Sequence, residues 1–244
     1  MLILFDIDMT LITTGGAGMK AMQDAGRELF GASFTTDGIE FAGRLDPLII
    51  TDMLVRHGLE DGPARHAEFR AVYRRHLERH LQQPGKRMAL PGVMEILGEL
   101  RRRAVMLGLL TGNFEETGSM KLRACGIDPT GFAVRVWGDE GRLRPARREH
   151  LVPVGLERGR AALGRLEPAQ VAIIGDTPHD VACARAHGCR SVGVATGKFG
   201  VEELRRAGAD LALSDLSDTH RVVSWLMNSC RMDDPGGNLD KSPH

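Results

Sequence analysis

The stretch Leu2-Ile3-Leu4-Phe5-Asp6-Ile7-Asp8-Met9-Thr10 decides how the rest of the chain is read. Four large apolar residues, the length of a short strand, run into two acids with a single residue between them. Removing a carboxylate from water is costly unless a positive charge compensates it. A buried strand that ends in Asp6 and Asp8 therefore calls for a cation at that end.

Working outward, apolar runs of similar length recur over 105–110, 133–136, 171–174, 191–194 and 211–213, each with little polar alternation. Such runs, separated by segments of helical periodicity, predict an α/β fold with a Rossmann-like parallel sheet buried on both faces. The segment 91–103 is of the helical type. Val93, Ile96, Leu97 and Leu100 share one side, Pro91 stands at the start, and Arg101 to Arg103 suit the negative end of the helix dipole.

One region breaks the alternation. Between the first and second runs lie amphipathic stretches over 18–30, 47–57 and 63–81, bracketed by Thr13-Thr14-Gly15-Gly16 and Gln83-Pro84-Gly85-Lys86. The expected organisation is a core made of 1–14 and 89–227, an inserted α-helical cap over 15–88, and a loose tail over 228–244, where apolar pattern gives way to Gly, Pro and charge.

With 244 residues, 42% of them hydrophobic, the chain can bury a full core. Lys plus Arg and Asp plus Glu both number 32, so there is no overall basic field to collect nucleic acid or an anionic membrane, and a small-molecule partner is expected. Cys125, Cys183, Cys189 and Cys230 form no C-x-x-C pair. That scatter, the early acids in place of a basic leader, and the lack of any stretch of membrane-span length predict a cytoplasmic protein.

In open α/β sheets, ligands gather beyond the C-terminal ends of the strands. The second run ends in Thr111-Gly112-Asn113 and the fourth in Gly175-Asp176-Thr177-Pro178-His179-Asp180. Three strands thus deliver acidic or small polar groups to one edge.

These residues resemble the motifs of the haloacid dehalogenase-like hydrolase superfamily, chiefly its phosphatases. Asp6-Ile7-Asp8-Met9-Thr10 looks like the first motif (DxDxT), Thr111-Gly112-Asn113 like the second, and Gly175-Asp176-x-x-x-Asp180 like the fourth, in the family's order and each directly after an apolar run. The inserted helices are similar to the C1 cap of phosphoglycolate phosphatase-like members. The resemblance implies that Asp6 is the nucleophile and that Asp8 protonates the leaving alkoxide and then activates water. It implies Mg²⁺ held by the Asp6 carboxylate, the Asp8 carbonyl and Asp176, with Asp180 and Thr10 in support. Thr111, Gly112 and Asn113 would bind the phosphoryl oxygens.

Two departures stand out. The family's third motif supplies a lysine, but 141–148 contains none. An arginine is expected instead; Arg148, before His150-Leu151-Val152-Pro153, fits best, with Arg147 and Arg144 as alternatives. Met9 occupies a position where many members carry glycine.

Other signals have plainer readings. Gly16-Ala17-Gly18 matches a dinucleotide fingerprint but lies too far from the strand end, so it reads as the linker into the insertion. His76 and His80, flanked by arginines, read as an exposed charged face and not as metal ligands, and His179 as a loop residue facing water. Arg44 either projects toward the site from the cap as a substrate-reading group or pairs with Asp46 or a helix end. The function expected is an Mg²⁺-dependent phosphatase acting on a small phosphate monoester through an aspartyl-phosphate, with a phosphomutase or a non-catalytic phospho-acceptor module as the rivals. Dehalogenation has no use for the proton of Asp8.

Overall fold

A computed structural model describes residues 1–103 and 105–228. Cys230 and nearly all of the tail segment lie outside them. In chain order the elements are β1 (Leu2–Phe5), β2 (Ile12–Thr13), α1 (Ala17–Phe30), α2 (Asp46–Arg56), α3 (Pro63–Gln82), β3 (Met88–Ala89), α4 (Val93–Arg101), β4 (Met106–Leu110) and α5 (Glu115–Ala124). There follow β5 (Val134–Val136), α6 (Leu151–Leu163), β6 (Val171–Gly175), α7 (Pro178–Ala186), β7 (Arg190–Val194), α8 (Val201–Arg206), β8 (Leu211–Leu213) and α9 (Thr219–Asn228).

Six strands form one parallel sheet in the order β5-β4-β1-β6-β7-β8. All six apolar runs of the sequence become its strands. The alternation within β1 explains why no polar residue interrupts it: Ile3 and Phe5 face one buried cluster with Ile7, while Leu2 and Leu4 face another on the opposite side. The strand order reverses at β1, between β4 and β6, so the crevice beyond these three strands is where a ligand site is expected on topology alone.

Between β2 and β3, α1 to α3 pack around Met22, Phe34, Met53, Phe69 and Tyr73. The two segments read as linkers do more than connect. Ile12 and Thr13 pair antiparallel with Ala89 and Met88, forming a two-stranded ribbon at the base of the helical module. Two-residue strands carry too little periodicity to be read from sequence, and their pairing joins positions some 75 residues apart.

His76 and His80 are paired to another helix rather than exposed. Their Nε2 atoms lie 2.9 Å from Glu28 Oε2 and 2.7 Å from Asp24 Oδ2, so they fasten α3 to α1. Among the described residues no helix is long and apolar enough to cross a membrane.

Candidate active site

The Asp6-Ile7-Asp8 segment leaves the sheet at the switch point, and a chain reversal follows in which the amides of Leu11 and Ile12 donate back to the Ile7 carbonyl. Met9 sits in this reversal at φ +57, the one non-glycine residue with positive φ among those described. A left-handed conformation is costly for a side chain with a Cβ, which accounts for glycine at this position in many proteins with the motif. The Met9 turn is tied down by Thr196 Oγ1 donating to its carbonyl.

Asp6, Asp176 and Asp180 are all buried, and each offers a carboxylate oxygen within 4.8 Å of the others. Arg148 reaches in from the segment preceding α6, with Nη2 2.9 Å from Asp6 Oδ1 and 2.8 Å from Asp180 Oδ1. It is buried, whereas Arg142, Arg144 and Arg147 stay on the surface. Asp180 holds its position through the start of α7: its Oδ2 accepts from the Thr177 amide and hydroxyl at 3.1 and 2.6 Å, while its own amide donates to Thr177 Oγ1. One oxygen caps the helix and the other faces the site. Thr10 donates to Asp176 Oδ1 at 3.4 Å.

Burial pushes the Asp6 carboxyl up to about 6, with Asp180 and Asp8 adding to the rise and Arg148 opposing it. Asp176 is pushed up to about 8, first by burial and then by Asp6 and Asp180. Burial works against the Arg148 charge, but Asp180 and Asp6 outweigh it and hold the guanidinium protonated.

Asp8 turns the other way. Its Oδ2 accepts from Asn113 Nδ2 at 2.9 Å and from Lys121 Nζ at 2.7 Å. Asn113 also donates to Thr111 Oγ1 at 2.9 Å, so the Thr111-Gly112-Asn113 turn is joined directly to the first motif. No hydrogen bond to the Asp8 carbonyl or from the Gly112 amide is present among the described residues. Sequence reasoning missed Lys121. The available signal was helical period: Thr117, Gly118, Lys121 and Leu122 form the buried side of α5.

The helical module closes over this edge. A Cβ at Gly112 would lie 2.0 Å from the Arg44 carbonyl, where backbone approaches backbone, and one at Gly43 would lie 2.6 Å from the His179 side chain at Cδ2. Asp46 completes the contact. Its amide donates to the Gly112 carbonyl at 2.7 Å, and its buried carboxylate accepts from the Phe114 amide at 3.2 Å and from the Thr117 hydroxyl at 3.4 Å. The first residue of α2 thus ties the module to the start of α5. Burial raises the Asp46 carboxyl to about 6. Arg44 pairs with Asp52, not with Asp46, and lines the cavity. His179 is exposed, as expected, but belongs to the first turn of α7 and not to a loop.

The cavity between core and module has a volume of about 280 Å³. Asp6, Asp8, Thr111, Gly112, Asn113, Lys121, Arg148 and Asp176 border it from the core, and Met19, Met22, Phe41, Arg44, Ile49 and Tyr73 from the module.

The chemistry of this donor set fits a hard divalent cation. All candidate ligands are oxygens. Ionised together, the four carboxylates (Asp6, Asp8, Asp176, Asp180) would exceed their two cationic partners (Arg148, Lys121) by two charges, and the raised Asp176 and Asp6 carboxyls reflect burial together with that excess. Asp180 Oδ1 is buried without a directed hydrogen bond, as are Arg148 Nε and Nη2.

Such a site at the switch point of a Rossmann-like sheet, roofed by inserted helices, marks an α/β protein with an acid-lined centre. Residues 3–194 match the family model of the haloacid dehalogenase-like hydrolases, and the chain belongs to that family. It is similar to the phosphoglycolate phosphatase of Chromobacterium violaceum, with 29% identity over 171 residues covering 69% of this chain and 70% of that one. It is also similar to the pyrophosphatase PpaX of Bacillus pumilus, with 25% identity over 232 residues covering 91% and 95%. Among solved structures, CbbY from Rhodobacter sphaeroides in complex with xylulose-(1,5)bisphosphate superposes with a TM-score of 0.73 at 20% identity, covering 89% of this chain and 95% of that one. The last likeness is one of fold.

Proposed function

We propose that the protein is a Mg²⁺-dependent phosphatase acting on a small phosphate monoester through an aspartyl-phosphate. The observation that carries this reading is the division of labour between the two acids of the first motif: Asp6 lies with Asp176 and Asp180, while Asp8 is held apart from them by Asn113 and Lys121. A nucleophile has to lie by the cation and the phosphorus, and a proton donor has to stand aside from them.

Asp6, Asp176 and the Asp8 carbonyl would hold Mg²⁺, with Asp180 behind them. When bound, the ion neutralises the acids and withdraws charge from the phosphoryl oxygens. Arg148 sets its charge beside Asp6 and offers donors to the phosphoryl group. The Gly112 and Asn113 amides and the Thr111 hydroxyl bind its equatorial oxygens. A carboxylate oxygen of Asp6 attacks phosphorus and the ester P–O bond breaks. Asp8 gives its proton to the departing alkoxide oxygen. Asp8, now a carboxylate, takes a proton from the water that attacks the phosphoenzyme; inorganic phosphate leaves and Asp6 is regenerated.

Residues 15–88 act as the cap. Closure excludes water from the leaving group and limits it to what a cavity of about 280 Å³ admits, which favours small esters. The curated relatives are named for phosphoglycolate and pyrophosphate hydrolysis, and small substrates of that kind suit the cavity. The described cysteines, Cys125, Cys183 and Cys189, are unpaired, which suits the reducing cytoplasm.

The test is phosphate release from a panel of small monoesters with and without Mg²⁺. Turnover is expected with the ion, a loss of activity on chelation, and no turnover above about one ten-thousandth of wild type in Asp6→Asn. Full activity of that variant with Mg²⁺ present would remove Asp6 as nucleophile.

A further inference from the structure

We infer that Lys121 is a positioning residue for the acid/base step: together with Asn113 it engages one carboxylate oxygen of Asp8 and leaves the other to meet the leaving group. This rests on the phosphatase reading of the site.

A buried ammonium is costly unless paired and hydrogen bonded. Lys121 occupies the buried side of α5 among Thr117, Gly118 and Leu122, a position where an apolar residue would pack at no such cost. Both of its partners belong to the catalytic motifs. Nζ donates to Asp8 Oδ2 at 2.7 Å and to Asn113 Oδ1 at 2.6 Å, and Asn113 Nδ2 returns to the same Asp8 Oδ2 at 2.9 Å. The three side chains close a ring. The ring also fixes the Asn113 amide, since the lysine needs its oxygen and the aspartate its nitrogen.

Within this ring Asp8 Oδ2 already accepts two hydrogen bonds, one of them from a cation. Among the described residues Oδ1 accepts none. The proton of the acid form therefore resides on Oδ1. From there it passes to the alkoxide oxygen as the P–O bond breaks, and a proton from the attacking water returns to the same oxygen in the second half. Lys121 keeps its own proton throughout. Without the ring the carboxyl rotates, and either oxygen can hold the proton in an unproductive direction.

The helical module covers the ring. A Cβ at Gly18 of α1 would fall 3.1 Å from both Cε and Nζ of Lys121, and 3.6 Å from Tyr73 Oη of α3. The ammonium thus lies directly beneath the closed roof, and closure shields the ring from water that would compete for Asp8.

A variant Lys121→Met tests this with two esters at saturating Mg²⁺: a simple alkyl phosphate, whose leaving group needs the proton, and p-nitrophenyl phosphate, whose leaving group does not. Release of the alcohol or phenol in the first turnover isolates the step of interest. The expected result is a loss of roughly 10²-fold on the alkyl ester, the lower end for general acid catalysis, and of less than about threefold on the aryl ester. KM stays unchanged. Equal losses on both esters, or none on the alkyl ester, would overturn the inference, since a merely structural lysine does not distinguish leaving groups. Should the methionine variant fail to fold, Lys121→Gln is read by the same ratio. A wild type that releases phosphate from neither ester would refute the phosphatase reading itself, whereas an active wild type with no selectivity of loss would refute only the role of Lys121.

Discussion

The two walls of the cavity differ in kind. On the core wall each carboxylate has a partner from another part of the chain: Asp6 and Asp180 in Arg148, Asp8 in Asn113 and Lys121, Asp176 in Thr10. On the module wall apolar groups are more frequent, with Met19, Met22, Phe41 and Ile49 joined by Arg44, the Asp46 carboxylate and the Tyr73 hydroxyl. The first wall resists rearrangement, because moving any one member leaves another buried charge exposed to the cost of desolvation. The second carries fewer such ties, although Met22, Ile49 and Tyr73 also pack the core of the module. The difference teaches where to look for chemistry and where for selection: reaction in the core, choice of leaving group in the module.

Substitutions sharpen that contrast. The largest effect is expected for Arg148→Met, which leaves Asp6 and Asp180 without their guanidinium. Phosphate release should fall by roughly 10²–10³-fold on every substrate alike, with Arg148→Lys recovering part of the loss. A fall confined to some substrates would place Arg148 among the selecting groups and break the division.

Proton linkage gives a second contrast. Asp176 and Asp46 are buried with raised carboxyls, at about 8 and about 6. Between the ordinary aspartate value near 4 and these values the folded state holds more protons than the unfolded one. The stability this confers is complete below about pH 4 and is lost as pH rises through the folded values. The metal-free protein should therefore melt lower at pH 8 than at pH 5. Added Mg²⁺ should raise the melting temperature more at pH 8, because the Asp176 proton that competes with the ion is firmly held at pH 5 and about half lost at pH 8. Scanning calorimetry at the two pH values checks both; an equal shift would mean that Asp176 takes no part in the ion's site.

Smaller effects are expected from the module. Arg70 of α3 clasps Glu116 of α5, lies 2.7 Å from Asp139 and stacks 3.9 Å over the Phe114 ring. It holds the roof to the core at a half-exposed site, where ion pairs contribute modestly. Arg70→Ala should raise KM about two- to fivefold with little change in kcat. Tyr73→Phe removes a buried hydroxyl from the module wall, and should alter the ranking of esters with polar leaving groups by less than about tenfold while leaving apolar ones untouched. A uniform drop in kcat from either variant would assign chemistry to the wrong wall.

The same contrast governed what could be read before any coordinates. Strands buried on both faces are continuous apolar runs, so all six were legible, and acids placed at strand ends marked the crevice. Arg148 could be favoured only through the resemblance to capped family members, by its place before His150-Leu151-Val152-Pro153, and spacing alone did not separate it from Arg147 and Arg144. Lys121 and Asp46 escaped for a shared reason. Each lies on a helix and looks like ordinary surface or first-turn charge, and its partner comes from a distant element: Asp8 is 113 residues from Lys121, and Thr117 is 71 from Asp46. The ribbon of β2 and β3 was missed because two residues carry no period.

The central claim is that Asp6 accepts phosphorus while Asp8 handles the proton. The most direct measurement is mass spectrometry of acid-quenched enzyme during turnover of a small monoester with Mg²⁺. A phosphoryl group on the tryptic peptide that ends at Lys20, localised to Asp6 and lost in Asp6→Asn, is the outcome expected. A phosphoryl group fixed on any other residue, or rapid turnover by the Asp6→Asn variant, would contradict it.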